Sequence, residues 1–291
     1  MAVTSRGVAR VVPLAPAVVL LALFMLGPVV WSFYGSFTNA ALTGPAALSP
    51  EWIGFDNYAA LVSDPDFPKS LWLTVVFVFL SAVVGQNVMG ILLAGLLRSA
   101  VKPVRSIAST IVVAAWVLPE IVAAFAAYAF FHSEGTLNTL LAGVGITGPD
   151  WLYSTPMLAV ILANIWRGTA FSMMVYSAAL AEVPPELTEA AQLDGANGMQ
   201  RLAFVTIPVI RRSISTNLML TTLQTLSVFT LIYVMTGGGP GTDSSTLPIL
   251  AYQEAFKFAQ VGYGTAIATV MIIVGAIFSV IYIRALRPEV D

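Results

Sequence analysis

Apolar positions along this chain run together in long blocks instead of alternating with polar ones every second or third residue. Six blocks reach the roughly 20 mostly apolar residues that a helix needs to cross a ~30 Å hydrocarbon layer. They are residues 11–34, 71–97, 107–131, 157–180, 214–235 and 266–285. Lipid cannot satisfy exposed backbone groups, so a block of this length is expected to be helical throughout. The pattern predicts an all-α integral membrane protein with six transmembrane helices. A first helix and outer loop (1–70) precede a transmembrane core (71–285) and a short tail (286–291). The first block follows Arg6 and Arg10, as a signal peptide would. It exceeds the ~7–15-residue apolar core of such a peptide and lacks a clear small-residue cleavage site, so it is expected to remain as an uncleaved helix.

One polar interruption, residues 182–208, separates the fourth block from the fifth. Pro184 and Pro185 pre-set a helix start, because proline at the first helical position loses no needed hydrogen bond. Glu186 and Glu189 follow in the first turns, where carboxylates favour the positive end of the helix dipole. Gly195 is the residue type that most readily turns the chain at a helix end. The expectation is a short helix between two spans, presenting a face to something outside the lipid.

Composition agrees: of 291 residues 58% are hydrophobic and 10% charged, against about 25% charged in a soluble domain, and mean hydropathy is +0.86. The chain has no Cys and a single His132, which excludes disulfides, thiolate metal sites, a histidine-held metal and a buried Ser-His-Asp constellation. His132, at the outer end of the third block, reads as interfacial and inert. The formal net charge of −2 carries less information than the placement of the cations. Ten of the thirteen Lys and Arg lie on one side: Arg6, Arg10, Arg98, Lys102, Arg105, Arg201, Arg211, Arg212, Arg284 and Arg287. The positive-inside rule puts both termini and the 182–208 loop in the cytoplasm. The opposite loops are acidic, and Trp52, Trp72 and Trp151 fall near their membrane boundary, as aromatic anchors do. The outer run Gly237-Gly238-Gly239-Pro240-Gly241-Thr242 lacks the Lys-Ser/Thr of a phosphate-binding loop, and the GxxxxGK[ST] pattern occurs nowhere. That run reads as a tight turn and a docking surface. ATP, if used, must bind another subunit. No nucleic-acid partner is expected.

Two ionisable residues sit within blocks: Glu120, after Pro119, and Arg167. A charge at mid-depth costs about 2.5–3.5 kcal/mol, so each should face the bundle interior and find a partner. At similar depth in neighbouring spans, they are expected to form a structural ion pair, with substrate contact by Arg167 as the other reading. The fifth block carries Asn217, Thr221, Gln224 and Thr225 on one helical face, and the fourth supplies Asn164, Gly168, Phe171 and Ser172 at the same spacing. Amides and hydroxyls beside an aromatic suit a neutral, hydroxyl-rich solute such as a sugar. The same groups also serve as hydrogen-bonding glue between membrane helices, and both readings stay open. Ser81, Gly85, Gln86 and Asn87 in the second block are assigned to close helix packing.

The run Glu189-Ala190-Ala191, three residues, Gly195, nine residues, then Val205-Thr206-Ile207-Pro208 resembles the EAA loop of binding-protein-dependent ABC importer permeases. There the pattern ends I-x-L-P, so Val205 and Ile207 are conservative departures. Ile53-Gly54-Phe55-Asp56-Asn57-Tyr58, Trp166-Arg167-Gly168-Thr169 and Leu231-Ile232-Tyr233-Val234-Met235-Thr236-Gly237-Gly238-Gly239-Pro240 look like the maltose/glycerol-phosphate branch of that family. The resemblance implies a type I importer permease of MetI-like fold, a transport subunit without enzymatic activity, in a bacterial cytoplasmic membrane. It implies an ATPase-docking surface at Glu186, Glu189, Ala190, Ala191, Asp194 and Gly195. A substrate pathway at Asn164, Arg167, Gly168, Phe171, Thr221, Gln224 and Thr225 goes with it, as does a contact for a solute-binding protein at Gly237, Gly238, Gly239 and Pro240. Implied partners are a second, similar permease chain, two cytoplasmic ATPase subunits that hold ATP and Mg, and the extracytoplasmic binding protein. The cargo would be a sugar, or alternatively glycerol-3-phosphate or its diesters. A reading from another class is an ion-coupled secondary transporter, supported only by Glu120 beside Pro119 and lacking a visible internal repeat.

Overall fold

The structure, a computed structural model, describes residues 14–286. Residues 11–13 of the first apolar block, the cations Arg6, Arg10 and Arg287, and nearly all of the 286–291 tail lie outside the described residues. The main helices, in chain order, are α1 (Ala15–Gly35), α2 (Asp56–Ser63), α3 (Asp66–Ser99), α4 (Lys102–Val117), α5 (Glu120–Phe131), α6 (Pro156–Ala181), α7 (Pro185–Leu193), α8 (Arg211–Leu226), α9 (Thr230–Met235) and α10 (Val261–Leu286). The only β-type contact among the described residues is an isolated antiparallel bridge between Thr38 and Trp52.

The chain divides into two compact units, one made of Met1–Pro65 with Leu250–Ile272 and the other of Asp66–Ile249 with Ile273–Asp291. In the first, the 53–58 stretch is a structural clasp. Gly54 takes φ +62°, which a side chain would resist. Asn57 is buried and donates to the carbonyls of Ser36 and Thr38, both at 2.9 Å, and Tyr58 pairs with Ser36 Oγ at 2.7 Å. Gly262 of α10 sits against Thr38 so closely that a Cβ would lie 2.0 Å from its carbonyl oxygen.

The second unit is built on α3 and α6, which pack through small residues. A Cβ on Gly90 would lie 2.4 Å from Ser172 Cβ and 2.9 Å from that residue's backbone carbonyl carbon. Small residues at such crossings let two backbones approach in the absence of a hydrophobic drive between helices in lipid. Residues 78–86 of α3 form a wider π-helical stretch, a local feature often found at functional positions. An apolar core joins Phe77 of α3, Ala124 and Phe131 of α5, Val160 of α6, and Leu231 and Ile232 of α9.

Two expected spans are not continuous helices. Among the described residues, α1, α3, α6 and α10 are long and apolar enough to cross a membrane, and a fifth span exists if the bent pair Lys102–Val117 and Glu120–Gly143 counts as one. That pair is bent by 106°. Pro119 supplies no backbone N–H and forces Leu118 out of helical geometry to ψ 137°. The block at 214–235 is divided into α8 and α9 by Ser227, Val228 and Phe229. Its 16-residue α8 is only about 24 Å long. Burial of Leu231 and Ile232 in the core shared with α5 turns the chain where no Pro or Gly breaks it.

Candidate functional site

The polar loop folds as the sequence dictates. Helix α7 begins at Pro185, with Glu186 in its first turn, and none of its residues is buried. Gly195 ends it at φ +84°, a left-handed conformation that costs any side chain about 1–2 kcal/mol. The Ala196 N–H then donates to Ala191 O at 2.9 Å and that of Gly195 to Gln192 O at 3.1 Å, so the closing carbonyls are satisfied as in a glycine-capped helix. A second small helix, Gly198–Arg201, starts with a reciprocal capping box between Asn197 and Gln200. Arg201 reaches back to Gln192 Oε1 at 2.8 Å and ties the two helices together. Glu186, Glu189, Ala190, Asp194 and Gly195 are exposed and Ala191 is half-buried. Around them Leu187, Leu193, Met199 and Phe204 are exposed, with Leu193 at 90% and Phe204 at 77%. The loop is a preformed surface of carboxylates and apolar side chains.

Inside the second unit the polar stripe of the fifth block meets a counterpart. Asn217, Thr221 and Thr225 of α8 are buried with Asn164, Ser172 and Tyr176 of α6 and Ser81, Gln86 and Asn87 of α3. Asn164 Nδ2 donates to Ser81 Oγ at 2.8 Å and to Thr225 Oγ1 at 3.4 Å. Gln86 Nε2 donates to Asn164 O at 3.2 Å and lies over Gly168, where a Cβ would clash with its amide at 2.2 Å. Tyr176 donates to Asn87 Oδ1. Asn217 Nδ2 reaches Asn87 Oδ1 at 2.8 Å, Ser172 Oγ at 2.9 Å and Tyr176 Oη at 3.3 Å, while Asn217 Oδ1 has no partner. These side chains bind three helices to one another. Gln224, expected on the same face, is exposed and stands outside the seam. Tyr176 was missed in the sequence, although it extends the spacing of Gly168 and Ser172 by one more turn of α6.

Glu120 and Arg167 do not pair: no ion pair joins them among the described residues. The bend at Pro119 makes Glu120 the first residue of α5 instead of the centre of a straight span. Arg167 is half-buried, with Nε buried and unpartnered. Phe171, one turn on, packs against Trp116 of α4 with ring centroids 6.0 Å apart. Among the described residues no group of three or more His, Cys, Asp or Glu could hold a metal.

The glycine run is a compact turn held by its own hydroxyls. Gly237 and Gly238 take positive φ, and Ser244 Oγ donates to Thr236 Oγ1 at 2.8 Å and to Gly239 O at 2.9 Å. Lys69 of α3 pairs with Asp243 at 2.7 Å, and Thr242 donates to Asp66 at 3.2 Å. Gly237, Gly239 and Pro240 are half-buried and Gly238 is buried.

Residues 86–291, from the buried seam to the end of the chain, match the family described as the binding-protein-dependent transport system inner membrane component. The chain belongs to that family. This permease is 36% identical over 282 residues to the sulfoquinovosyl glycerol transport system permease protein SmoG of Agrobacterium fabrum, covering 95% of this chain and 89% of the relative. It is 29% identical to the trehalose/maltose transport system permease protein MalF of Thermococcus litoralis, covering 94% and 91% of the two chains. A solved chain from a bacterial ABC transporter that imports the acidic polysaccharide alginate superposes with a TM-score of 0.80 at 24% identity, covering 98% of this chain and 97% of that one. That likeness gives the permease its fold, the all-helical MetI-like architecture. Its multi-pass place in the membrane follows from the inner-membrane family and from the several long apolar helices.

Proposed function

We propose that this permease is one transmembrane half of an ATP-driven importer for a glycoside or oligosaccharide, and that α7 is the element through which the ATPase drives it. The observation that carries the reading is the loop itself. It is a preformed helix with the Glu-Ala-Ala…Gly spacing and none of its residues buried, with exposed Leu187 and Leu193 on it and exposed Met199 and Phe204 just beyond. Exposed apolar groups rimmed by polar ones mark a surface that another protein covers. A rigid lever suits the task, because packed elements switch between discrete arrangements instead of deforming gradually. In the assembly a second permease chain supplies the other half, two ATPase subunits carry ATP and Mg, and an extracytoplasmic binding protein delivers cargo. The 237–240 turn is its contact. The membrane is the bacterial cytoplasmic membrane, both termini and α7 face the cytoplasm, and α8 with α9 complete a sixth, discontinuous crossing.

Relatives named for sulfoquinovosyl glycerol and for trehalose/maltose support a sugar-containing cargo over glycerol-3-phosphate. Along the pathway Gln224, Arg167 and Phe171 offer exposed or half-buried groups to the cargo, while Asn164, Gly168, Thr221 and Thr225 form the wall that holds them. The decisive experiment is assembly with the ATPase and binding protein in proteoliposomes, reading cargo-stimulated ATP hydrolysis. Glu189→Lys should leave the chain inserted and lower ATPase copurification by more than tenfold, since reversing a charge within a docked interface costs about 2–5 kcal/mol. Transport by the single chain without ATP, or normal coupling in Glu189→Lys, would overturn the reading.

A further inference from the structure

Away from the loop helix and the buried seam, one cavity of the second unit combines cations with apolar walls. It measures about 380 Å³ and is lined by Arg98, Arg105, Ser109 and Ser177 together with Leu97 and Leu180. Arg98 is the next-to-last residue of α3 and Leu180 that of α6, both helices long and apolar enough to cross a membrane. The cavity therefore opens where spans end, at the depth of lipid headgroups.

The two guanidinium groups are held in place but not neutralised. Arg98 Nη1 donates to Leu180 O at 2.8 Å, and Arg105 donates from Nε to Leu97 O at 2.8 Å and from Nη2 to Arg98 O at 2.7 Å. Neither forms an ion pair among the described residues. Each guanidinium carries five donors, so most remain uncommitted beside the hydroxyls of Ser109 and Ser177. A fixed fork of N–H donors matches phosphate oxygens, and arginine is the residue type best suited to that recognition. A soluble anion has no use for walls of leucine and alanine, whereas an acyl chain does.

We propose that this cavity binds the phosphate of an anionic phospholipid, with Arg98 and Arg105 on the headgroup and the apolar wall along an acyl chain. Basic pockets between membrane helices bind such headgroups. The site has a mechanical consequence, since α6 ends at Ala181 and α7 begins four residues later at Pro185. A lipid bridging the ends of α3 and α6 would fix the mount from which the loop helix hangs. Occupancy is independent of cargo and of ATPase docking, so this proposal can fail while the proposed function stands.

The test is native mass spectrometry of the full chain in non-ionic detergent, titrated separately with phosphatidylglycerol, phosphatidylcholine and inorganic phosphate, and repeated on the assembled complex. Phosphatidylglycerol should be retained and phosphatidylcholine not. Arg98→Gln and Arg105→Gln should each weaken retention by about fivefold. Those variants also lose carbonyl bonds, so Ser177→Phe serves as the second arm: it fills the cavity from an exposed position and leaves both arginines intact. It should weaken phosphatidylglycerol binding at an unchanged melting temperature. Equal retention of the two lipids, or unchanged binding in Ser177→Phe, would overturn the proposal. Full competition by inorganic phosphate would reassign the cavity to a soluble anion, and loss of lipid on assembly would give it to a partner's carboxylate.

Discussion

The buried seam around Asn87, Tyr176 and Asn217 and the exposed loop around α7 are both rich in polar side chains, yet they use them in opposite ways. In the seam almost every polar group is answered within the chain: Asn164 by Ser81, and Asn217 by Asn87, Ser172 and Tyr176. On α7 the carboxylates of Glu186 and Glu189 form no ion pair among the described residues, and the apolar Leu187 and Leu193 stand exposed. Away from water an unsatisfied polar group is costly, so intramembrane polar residues are driven to find one another. At an aqueous surface no such pressure exists, and a surface shaped by caps and a glycine turn is free to serve a partner. Polarity inside a span thus reports on assembly of the chain itself, whereas polarity in the loop stays available to the partner proposed for α7.

Substitutions should separate the two regions by where their effects appear. The largest expected loss is at the crossing that supports the seam. Gly90→Leu drives a side chain into the backbone of Ser172 and Met173, with no flexible group to yield. It should destabilise the chain by about 3 kcal/mol, the upper end of overpacking costs, read as a lowered melting temperature in detergent and poor recovery of folded protein. Full recovery would mean that the α3–α6 contact is looser than described.

Within the seam, Asn87→Leu strands the Tyr176 hydroxyl and takes away one acceptor from the Asn217 amide N–H donors. The expected cost is about 2 kcal/mol, within the range for a buried group left unsatisfied. A double-mutant cycle with Asn217→Leu should recover part of it, because removing both partners strands less. Strictly additive losses would contradict the network. The smallest effect on stability belongs to the loop: Gly195→Leu strains a left-handed position by about 1–2 kcal/mol in a segment that buries none of α7. Its melting temperature should barely move while cargo-stimulated ATP hydrolysis falls. A large drop in melting temperature with coupling intact would reverse the distinction between the two regions.

Much of this was legible in the residues. Prolines 184 and 185, the acidic first turn and Gly195 specify α7 locally, and the structure follows them because each device acts within a few residues. The break at Leu118 and Pro119 was half legible: proline was visible, but neighbouring helices in a membrane can re-satisfy the backbone around one, so its presence alone does not give a bend. The division of the fifth block had no signal at all. Ser227, Val228 and Phe229 contain neither Pro nor Gly, and the turn comes from burying Leu231 and Ile232 against α5. The expected Glu120–Arg167 pair failed for the same reason, since equal depth in sequence assumed two straight helices.

By itself, then, the sequence determined what depends on short range and on bulk solvation: membrane residence, the loop helix and its caps, and the spacing that ties the chain to its family. Only the tertiary structure decided which polar residues face which neighbours. Spacing puts Asn217, Thr221, Gln224 and Thr225 on one broad face, but it is the approach of α3 and α6, allowed by Gly85, Gly90 and Gly168, that buries three of them and leaves Gln224 exposed. A helical period fixes directions about an axis. Where that axis lies, and what meets each direction, is set by packing between segments far apart in the chain.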